Sequence, residues 1–485
     1  MRRTALFLAS ALAATLILAC RGEGRPAAPA HDGPIVLITI DALRADVLGP
    51  KLTPHLHRLA SESDWAGRAV SASSWTVPSM ASLFTGLQPW SVQSWSSDRA
   101  VLRDDLVTLP EALKAKGYRT SAFRTNHWLQ KVYGYAQGFD EFRFLAQGKR
   151  AENHLEKLGP GRELVWIHIL QPHAPYVRRP YLEDRLDGAP PGLPQKVRPA
   201  DLEPYYDPAV PLPPEREQVF RAMYGLNAAY ADDLLGRMVA SLRKSGQWDR
   251  TLLVVTSDHG EEFGEMGQIA HGGNLGRQLV EVPLMIKLPA GFPRKLALGE
   301  GQRPATARVR ATLLEAAGWE PEEETAPSLF HEAEEAGVLS ELYSGNGVNH
   351  FSYVEGDLQL LWESRFSPPE PEYYRARYEG VVAPPDPPLS EPSKVVFGRL
   401  EEAFARTMPL SGWRGAEPRL TLWRWTADGS ERVDDPKETE RMARRLRSAW
   451  LAANGQEKVP GKNTGKKPQL TPEQEAEMRA LGYLR

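Results

Sequence analysis

The chain has 485 residues, 41% hydrophobic and 25% charged, with 59 Lys and Arg against 62 Asp and Glu and a formal net charge of -3. This length suits about three ordinary domains or one large α/β unit with an appendage; the near-neutral balance and apolar content exclude a disordered chain and a polyanion binder, so no nucleic-acid partner is expected. The single cysteine, Cys20, excludes an intramolecular disulfide framework, a cysteine zinc cluster and an iron–sulfur site.

Met1-Arg2-Arg3 is a short positive start, and Ala5 to Ala19 is an apolar stretch too short to span a bilayer comfortably, the arrangement of a secretory signal. It ends in Ile17-Leu18-Ala19-Cys20, which is similar to the bacterial lipobox, where cleavage before the cysteine exposes a lipid-carrying N-terminus. Residues 1–20 therefore read as a lipoprotein signal peptide with Cys20 as the lipidation site; an ordinary cleaved signal and an uncleaved anchor are the alternatives. Residues 21–33, rich in Gly, Pro and Ala, read as a flexible tether that holds a globular body off a membrane surface. The expected location is extracytoplasmic, lipid-anchored to a bacterial membrane on its periplasmic or surface face.

Ile35-Val36-Leu37-Ile38-Thr39-Ile40 has the look of a buried parallel strand with an acid, Asp41, at its carboxyl end. Leu164 to Leu170 and Leu252 to Thr256 repeat the pattern, and each also meets polar residues at its end, His173 after the first and Ser257-Asp258-His259-Gly260 after the second. Helical spacing marks Leu106 to Lys116, stopped by Gly117, and Glu215 to Lys244 with Gly246 beyond. The alternation predicts an α/β fold, a doubly wound and mostly parallel sheet with its site at the carboxyl ends of the strands. Pro172 to Pro214 is too proline-rich for a core element and reads as a surface excursion that could wall a cleft. Beyond the helical segment Val309 to Ala317, short strands at Val338 to Tyr343, Phe351 to Tyr353, Leu358 to Trp362 and Leu420 to Trp425 and a helix at Lys437 to Ala453 predict a smaller antiparallel α+β subdomain. The domains are thus 34–325 and 326–453, followed by a polar tail, 454–485, with a short terminal helix.

Each chemical candidate also has a bland reading. Asp41 suits an N-cap as well as a ligand. Asp258-His259 puts a hard carboxylate beside an imidazole in one turn, so one metal could be gripped by both. Thr76 before Val77-Pro78-Ser79 reads either as the cap of a helix or as a hydroxyl nucleophile at a helix N-terminus, where free N–H groups favour an anionic ester. His168 reads as a satisfied core histidine, and His55 and His57 as surface residues. Arg44 and Asp46 are expected to stabilise the loop after Asp41, Trp75 is assigned to packing, and Glu261, Glu262 and Glu265 read as solvated, although one of them could orient His259 or His271.

Asp41-Ala42-Leu43-Arg44-Ala45-Asp46, Thr53-Pro54, Thr76-Val77-Pro78-Ser79 with Leu83-Phe84-Thr85-Gly86, Gly138-Phe139-Asp140, Pro172-His173-Ala174-Pro175-Tyr176, Ser257-Asp258-His259-Gly260-Glu261 and Ala270-His271-Gly272 follow in chain order. The ordered set resembles the sulfatases and sulfatase-like members of the alkaline phosphatase superfamily, from about residue 34 to about residue 320. It extends more loosely into a hairpin at Tyr353 to Leu361 and the terminal Leu481-Gly482-Tyr483. The resemblance implies a doubly wound α/β domain with divalent metal at the strand ends and a smaller C-terminal sheet. Asp41, Thr76, Asp258 and His259 match the first-metal ligands, and Thr76 also matches the nucleophile. His173 and His271 match positions that face the substrate's charged group or leaving oxygen, or hold a second metal; Asn126 falls at a substrate-binding position. One metal site is favoured, with Zn or Mn on ligand softness and Ca or Mg used by relatives.

Several positions depart from sulfatases proper. Thr76 stands where those enzymes carry a cysteine or serine that becomes formylglycine, Met80 replaces an arginine, Ala42 replaces a second aspartate, and Gln359 replaces a frequent lysine. Threonine cannot become formylglycine. The expected function is therefore a metal-dependent hydrolase of anionic esters, with phosphate mono- or diesters the first expectation and sulfate esters the second, on a small ester, glycan or lipid-headgroup substrate. A phosphoglycerol- or phosphoethanolamine-type transferase and a non-catalytic glycan- or headgroup-binding member are the alternatives.

Overall fold

The computed structural model describes residues 30–93, 100–144, 148–207, 209–319, 326–333, 337–343, 348–367, 414–415, 419–427, 429–454, 471 and 478. The signal segment with Cys20, most of the tether and nearly all of the tail lie outside the described residues.

The central strand β1 (Ile35–Ile40) is buried along its whole length. Around it lie β2 (Trp65–Val70), β3 (Arg119–Arg124), β4 (Glu141–Phe144), β5 (Glu163–Ile169), β6 (Leu252–Ser257) and β7 (Glu281–Lys287). Their order is β2-β7-β6-β1-β5-β3-β4, and only β7 runs against the others. Alternate residues of β1 face opposite layers. Ile35 and Leu37 pack with α2 (Thr76–Thr85), α3 (Leu109–Ala115) and α6 (Arg308–Ala316) through Met80, Phe84, Leu113 and Leu313. Val36, Ile38 and Ile40 pack with α1 (Pro54–Glu62), α4 (Lys149–Glu156) and α5 (Pro214–Lys244) through Leu56, Leu155 and Leu235. The chain therefore has the predicted doubly wound, mostly parallel α/β sheet.

Helix α3 begins three residues later than the apolar spacing suggested, because the Glu111 carboxylate accepts the Thr108 backbone N–H at 2.8 Å and closes a capping box there. The α1 N-terminus is capped from another helix: both Asp232 oxygens accept its N–H groups, from Leu56 at 2.6 Å and His55 at 3.0 Å. The Pro172 to Pro214 excursion corrects the expectation of a coreless surface loop. Its Tyr176, Leu182, Leu193, Val197 and Leu202 are buried against Phe220, Met223 and Tyr224 of α5, since proline breaks backbone pairing without preventing side chains from burying apolar area.

The second sheet has β8 (Gly337–Tyr343), β9 (Val348–Glu355), β10 (Leu358–Ser367), β11 (Arg419–Thr426) and β12 (Gly429–Val433) in antiparallel sequence, with the short Arg414–Gly415 strand beside β10. Helix α7 (Pro436–Asn454) covers one face through Met442, Leu446 and Trp450. The other face meets the main domain, where Leu342, Val354 and Trp425 pack on Val70, Leu275 and Val280. Strands β9 and β10 outrun the predicted apolar segments because backbone pairing continues through polar residues that carry no apolar signal, Asn349 opposite Ser364 and His350 opposite Glu363.

Candidate active site and metal centre

Register places the first two acids. In β1, Ile40 pairs with Ile169 on one side and Ser257 on the other, so Asp41 and Asp258 both step off the sheet at the same edge. Thr39 pairs with His168, and paired residues of parallel strands share a face. Thr39 Oγ1 accordingly lies 2.7 Å from His168 Nδ1, and the Trp166 indole donates to Thr39 Oγ1 at 3.0 Å. The Thr39 hydroxyl proton is then directed to Nδ1, which leaves His168 Nε2–H to face Asp41 Oδ2 at 3.2 Å. His168 is a satisfied core histidine, as read, but one that reaches the site.

Asp41 does not cap a helix. Its Oδ2 also accepts from Asn126 Nδ2 at 2.5 Å, while Oδ1 is buried and accepts no hydrogen bond. Asp258 is arranged in the same way: Oδ1 accepts from the backbone N–H of Ala42 at 3.1 Å and of His259 at 2.9 Å, and Oδ2 is buried without a hydrogen bond. Ala42 adopts a left-handed φ of 58° to deliver that N–H. His259 gives its Nδ1 proton to Gly260 O at 2.8 Å, so Nε2 presents a lone pair 3.5 Å from Asp41 Oδ1 and 3.6 Å from Asp258 Oδ2.

Thr76 is the first residue of α2 rather than its cap, which is Trp75. Its hydroxyl is therefore not spent on the helix; Oγ1 lies 3.4 Å from His259 Nε2 and 3.3 Å from Asn126 Nδ2. Ser79 of the same motif donates to Ser73 O at 3.0 Å and meets Ser71, whose hydroxyl contacts Asp258 O. The turn before α2 is thereby tied to the Asp258 turn.

Electrostatics argue for a cation. Burial would raise the Asp41 carboxyl, but the imidazoles of His173, His168 and His259 outweigh it and hold it below the usual carboxylate range. Asp258 moves the other way, pushed well up by burial and then by the Asp41 charge. His259 is pushed well down by burial and by His271, which keeps it neutral. Two buried carboxylates with an open oxygen each, a neutral imidazole and a hydroxyl form a donor set for a divalent metal. Asp41, His168 and Asp258 also bring ligand-type atoms within 4.8 Å of one another, so a buried Asp/His group capable of holding a divalent metal is present; in the tautomer assigned above, His168 takes part by donating to Asp41. A second such group, His55 with Asp232 and Asp233, is committed elsewhere: Asp232 caps α1, and Asp233 pairs with Arg185 at 2.8 Å.

The remaining histidines close over the site. The His271 ring centroid lies 4.4 Å from that of His259 and 4.8 Å from that of His173. His173 Nδ1 lies 2.5 Å from Ala174 O. His271 Nδ1 lies 2.7 Å from Glu261 Oε1, and the Tyr176 hydroxyl donates to Glu261 Oε2 at 2.9 Å. Glu261 is fully buried, which corrects its reading as a solvated charge, and both its oxygens are taken. Burial lowers His173; His271 is also penalised by burial, but the Glu261 carboxylate more than offsets this and raises it. Arg44 braces the loop as expected, donating to Asp46, to Glu261 O at 2.9 Å and to Glu265 at 2.6 Å. Gln359 stands apart from this cluster: it accepts from Trp425 Nε1 at 2.9 Å and donates to Leu275 O at 2.7 Å and Ser352 Oγ at 2.8 Å.

A family model described as Sulfatase matches residues 34–160 and 149–318. The multifunctional alkaline phosphatase superfamily protein PehA of Trinickia caryophylli is 39% identical over 103 residues, 21% of this chain and 19% of that protein. Iduronate 2-sulfatase of Homo sapiens is 23% identical over 327 residues, 53% of this chain and 59% of that protein. The chain thus spans less than two thirds of the length of either curated relative. The phosphonate monoester hydrolase of Agrobacterium radiobacter shares the fold with a TM-score of 0.55 at 16% identity, covering 83% of this chain and 100% of that one. Among the described residues no helix is long and apolar enough to cross a membrane.

Proposed function

The chain belongs to the sulfatase family over more than half of its length, and from that premise we propose a metal-dependent hydrolase of small anionic esters with Thr76 as its nucleophile. Phosphate mono- or diesters are the first choice and sulfate esters the second, because threonine cannot supply the aldehyde of formylglycine chemistry. The observation that carries the reading is the Thr76 hydroxyl at the start of α2, 3.4 Å from His259 Nε2, beside the open oxygens of Asp41 and Asp258. Asp41, Thr76, Asp258 and His259 would hold one divalent metal, Zn or Mn on softness. When bound, such an ion favours the ionised hydroxyl and withdraws charge from the ester oxygens.

The chain's own groups account for the rest. Thr76 Oγ bonds to phosphorus as the bond to the leaving oxygen breaks, and a histidine of the His173–His271 pair gives that oxygen a proton. Water then cleaves the Thr76 ester with the same histidine as base. Asn126 steadies Asp41 and Thr76. Anchorage through Cys20 and an extracytoplasmic address complete the proposal, with a glycan or lipid headgroup as the source of the ester.

The test is metal analysis of the purified protein with turnover of nitrophenyl phosphate monoester, phosphodiester and sulfate substrates beside Thr76→Ala. We expect stoichiometric divalent metal and a loss of at least about a thousandfold in the variant. A metal-free, inactive wild type would overturn the enzyme reading; undiminished turnover by Thr76→Ala would overturn the nucleophile.

A further inference from the structure

The rings of His173, His259 and His271 cluster over the site, and each has Nδ1 occupied. His173 and His259 use backbone carbonyls, Ala174 O at 2.5 Å and Gly260 O at 2.8 Å. His271 alone uses a carboxylate, Glu261 Oε1 at 2.7 Å. An ionised acceptor makes a hydrogen bond roughly twice as strong as a neutral one, and burial strengthens it further.

Glu261 is itself held at several points. Its second oxygen takes the Tyr176 hydroxyl at 2.9 Å, and its backbone carbonyl takes Arg44 Nη1 at 2.9 Å. Tyr176 is three residues from His173, so the same carboxylate joins the His173 turn to the His271 loop. A carboxylate with one oxygen pinned by a phenol can only accept at the other. His271 must then carry its proton on Nδ1, and Nε2 is the nitrogen left for the substrate.

We propose that Glu261 is a positioning residue that fixes the Nδ1–H tautomer and orientation of His271, making His271 Nε2 the atom that exchanges a proton with the leaving oxygen. This rests on the hydrolase reading above. In the bond-breaking step the doubly protonated ring gives its Nε2 proton to the departing oxygen, which keeps the electron pair of the broken ester bond. The ring remains neutral with Nδ1–H still on Glu261. His259, whose Nδ1 faces a carbonyl, is left to present a lone pair.

The experiment compares wild-type and Glu261→Gln full-length protein, metal-loaded, on two phosphodiesters that differ only in leaving group, 4-nitrophenol or a simple alcohol. The amide can offer N–H to Nδ1 and so admits the wrong tautomer. Protonation matters little for nitrophenolate and greatly for an alkoxide, so we expect kcat to fall about a hundredfold or more on the alkyl ester and less than about tenfold on the nitrophenyl ester, with metal content unchanged. Equal losses on both would overturn the proposal and leave Glu261 as a structural link.

Nitrogen-15 spectra of the wild-type histidines give a second measurement that does not depend on the variant folding. A protonated Nδ1 at His271 is the expected result, and an Nε2–H tautomer with bare Nδ1 overturns the inference. Absence of wild-type turnover alongside the expected tautomer would count against the hydrolase reading and not against the Glu261–His271 pairing.

Discussion

The carboxamide of Asn126 donates to Asp41 Oδ2 across 2.5 Å and reaches Thr76 Oγ1 at 3.3 Å with the same nitrogen. Its own oxygen accepts the Trp128 backbone N–H at 2.8 Å, which fixes which end of the amide faces the site. Asn126→Ala should therefore weaken divalent-metal binding by about tenfold or more, since groups that orient a ligand typically contribute that much. Calorimetric titration of metal into the chelated protein reads this directly. Unchanged affinity with a raised KM would return Asn126 to a substrate-contact role.

Chelation should abolish turnover and lower the melting temperature, because Asp41 and Asp258 are left as buried neighbours. Restoring metal to about 100 times its Kd should return about 2.7 kcal/mol by mass action. Burial and the Asp41 charge raise Asp258, so a proton competes with the cation there and affinity should fall as the pH falls. Titrations in two buffers of different ionisation heat should show proton release on binding; none would contradict the raised carboxyl.

Gln359 is predicted to matter for stability. Its amide joins β10 to Leu275, four residues after His271, while Trp425 and Ser352 complete the network. Gln359→Leu strands the Leu275 carbonyl and the Trp425 indole N–H, a cost of about 2–3 kcal/mol. Denaturant unfolding should show this loss, and KM should be little altered because the side chain faces no substrate group.

His31 gives a pH effect remote from the site. It is buried, its Nε2 lies 3.0 Å from Pro34 O, and burial lowers its pKa from the ordinary 6.5 despite that bond. Folding therefore weakens its hold on a proton, and stability is lost as the pH falls below 6.5 toward the native-state value. His31→Gln should narrow the gap in melting temperature between pH 7 and pH 5. A gap as wide as in wild type would mean that other groups carry the acid sensitivity.

Local sequence revealed the elements whose pattern is local. The run Ile35–Ile40 and the polar ends at Asp41 and Asp258 were legible because burial on both faces leaves an unbroken apolar string. Relationships across the sheet were not. His168 looks like a polar accident inside β5 until Thr39 and Asp41 arrive beside it from β1. Glu261 has the composition of a surface loop residue, and only Tyr176 and His271 from two other segments explain why it is buried. Thr76 could not be separated from a capping threonine by spacing; the backbone starts α2 one residue earlier than that reading requires.

The pairing of Ile40 with Ser257 and Ile169 has one more consequence. A slip of one residue between parallel strands shifts a side chain by about 3.3 Å and turns it to the opposite face. Asp41 and Asp258 would then diverge, and no loop adjustment would restore their shared focus. The cation site therefore exists only when the three innermost strands are in register. A colorimetric ion added during refolding would keep time for the sheet.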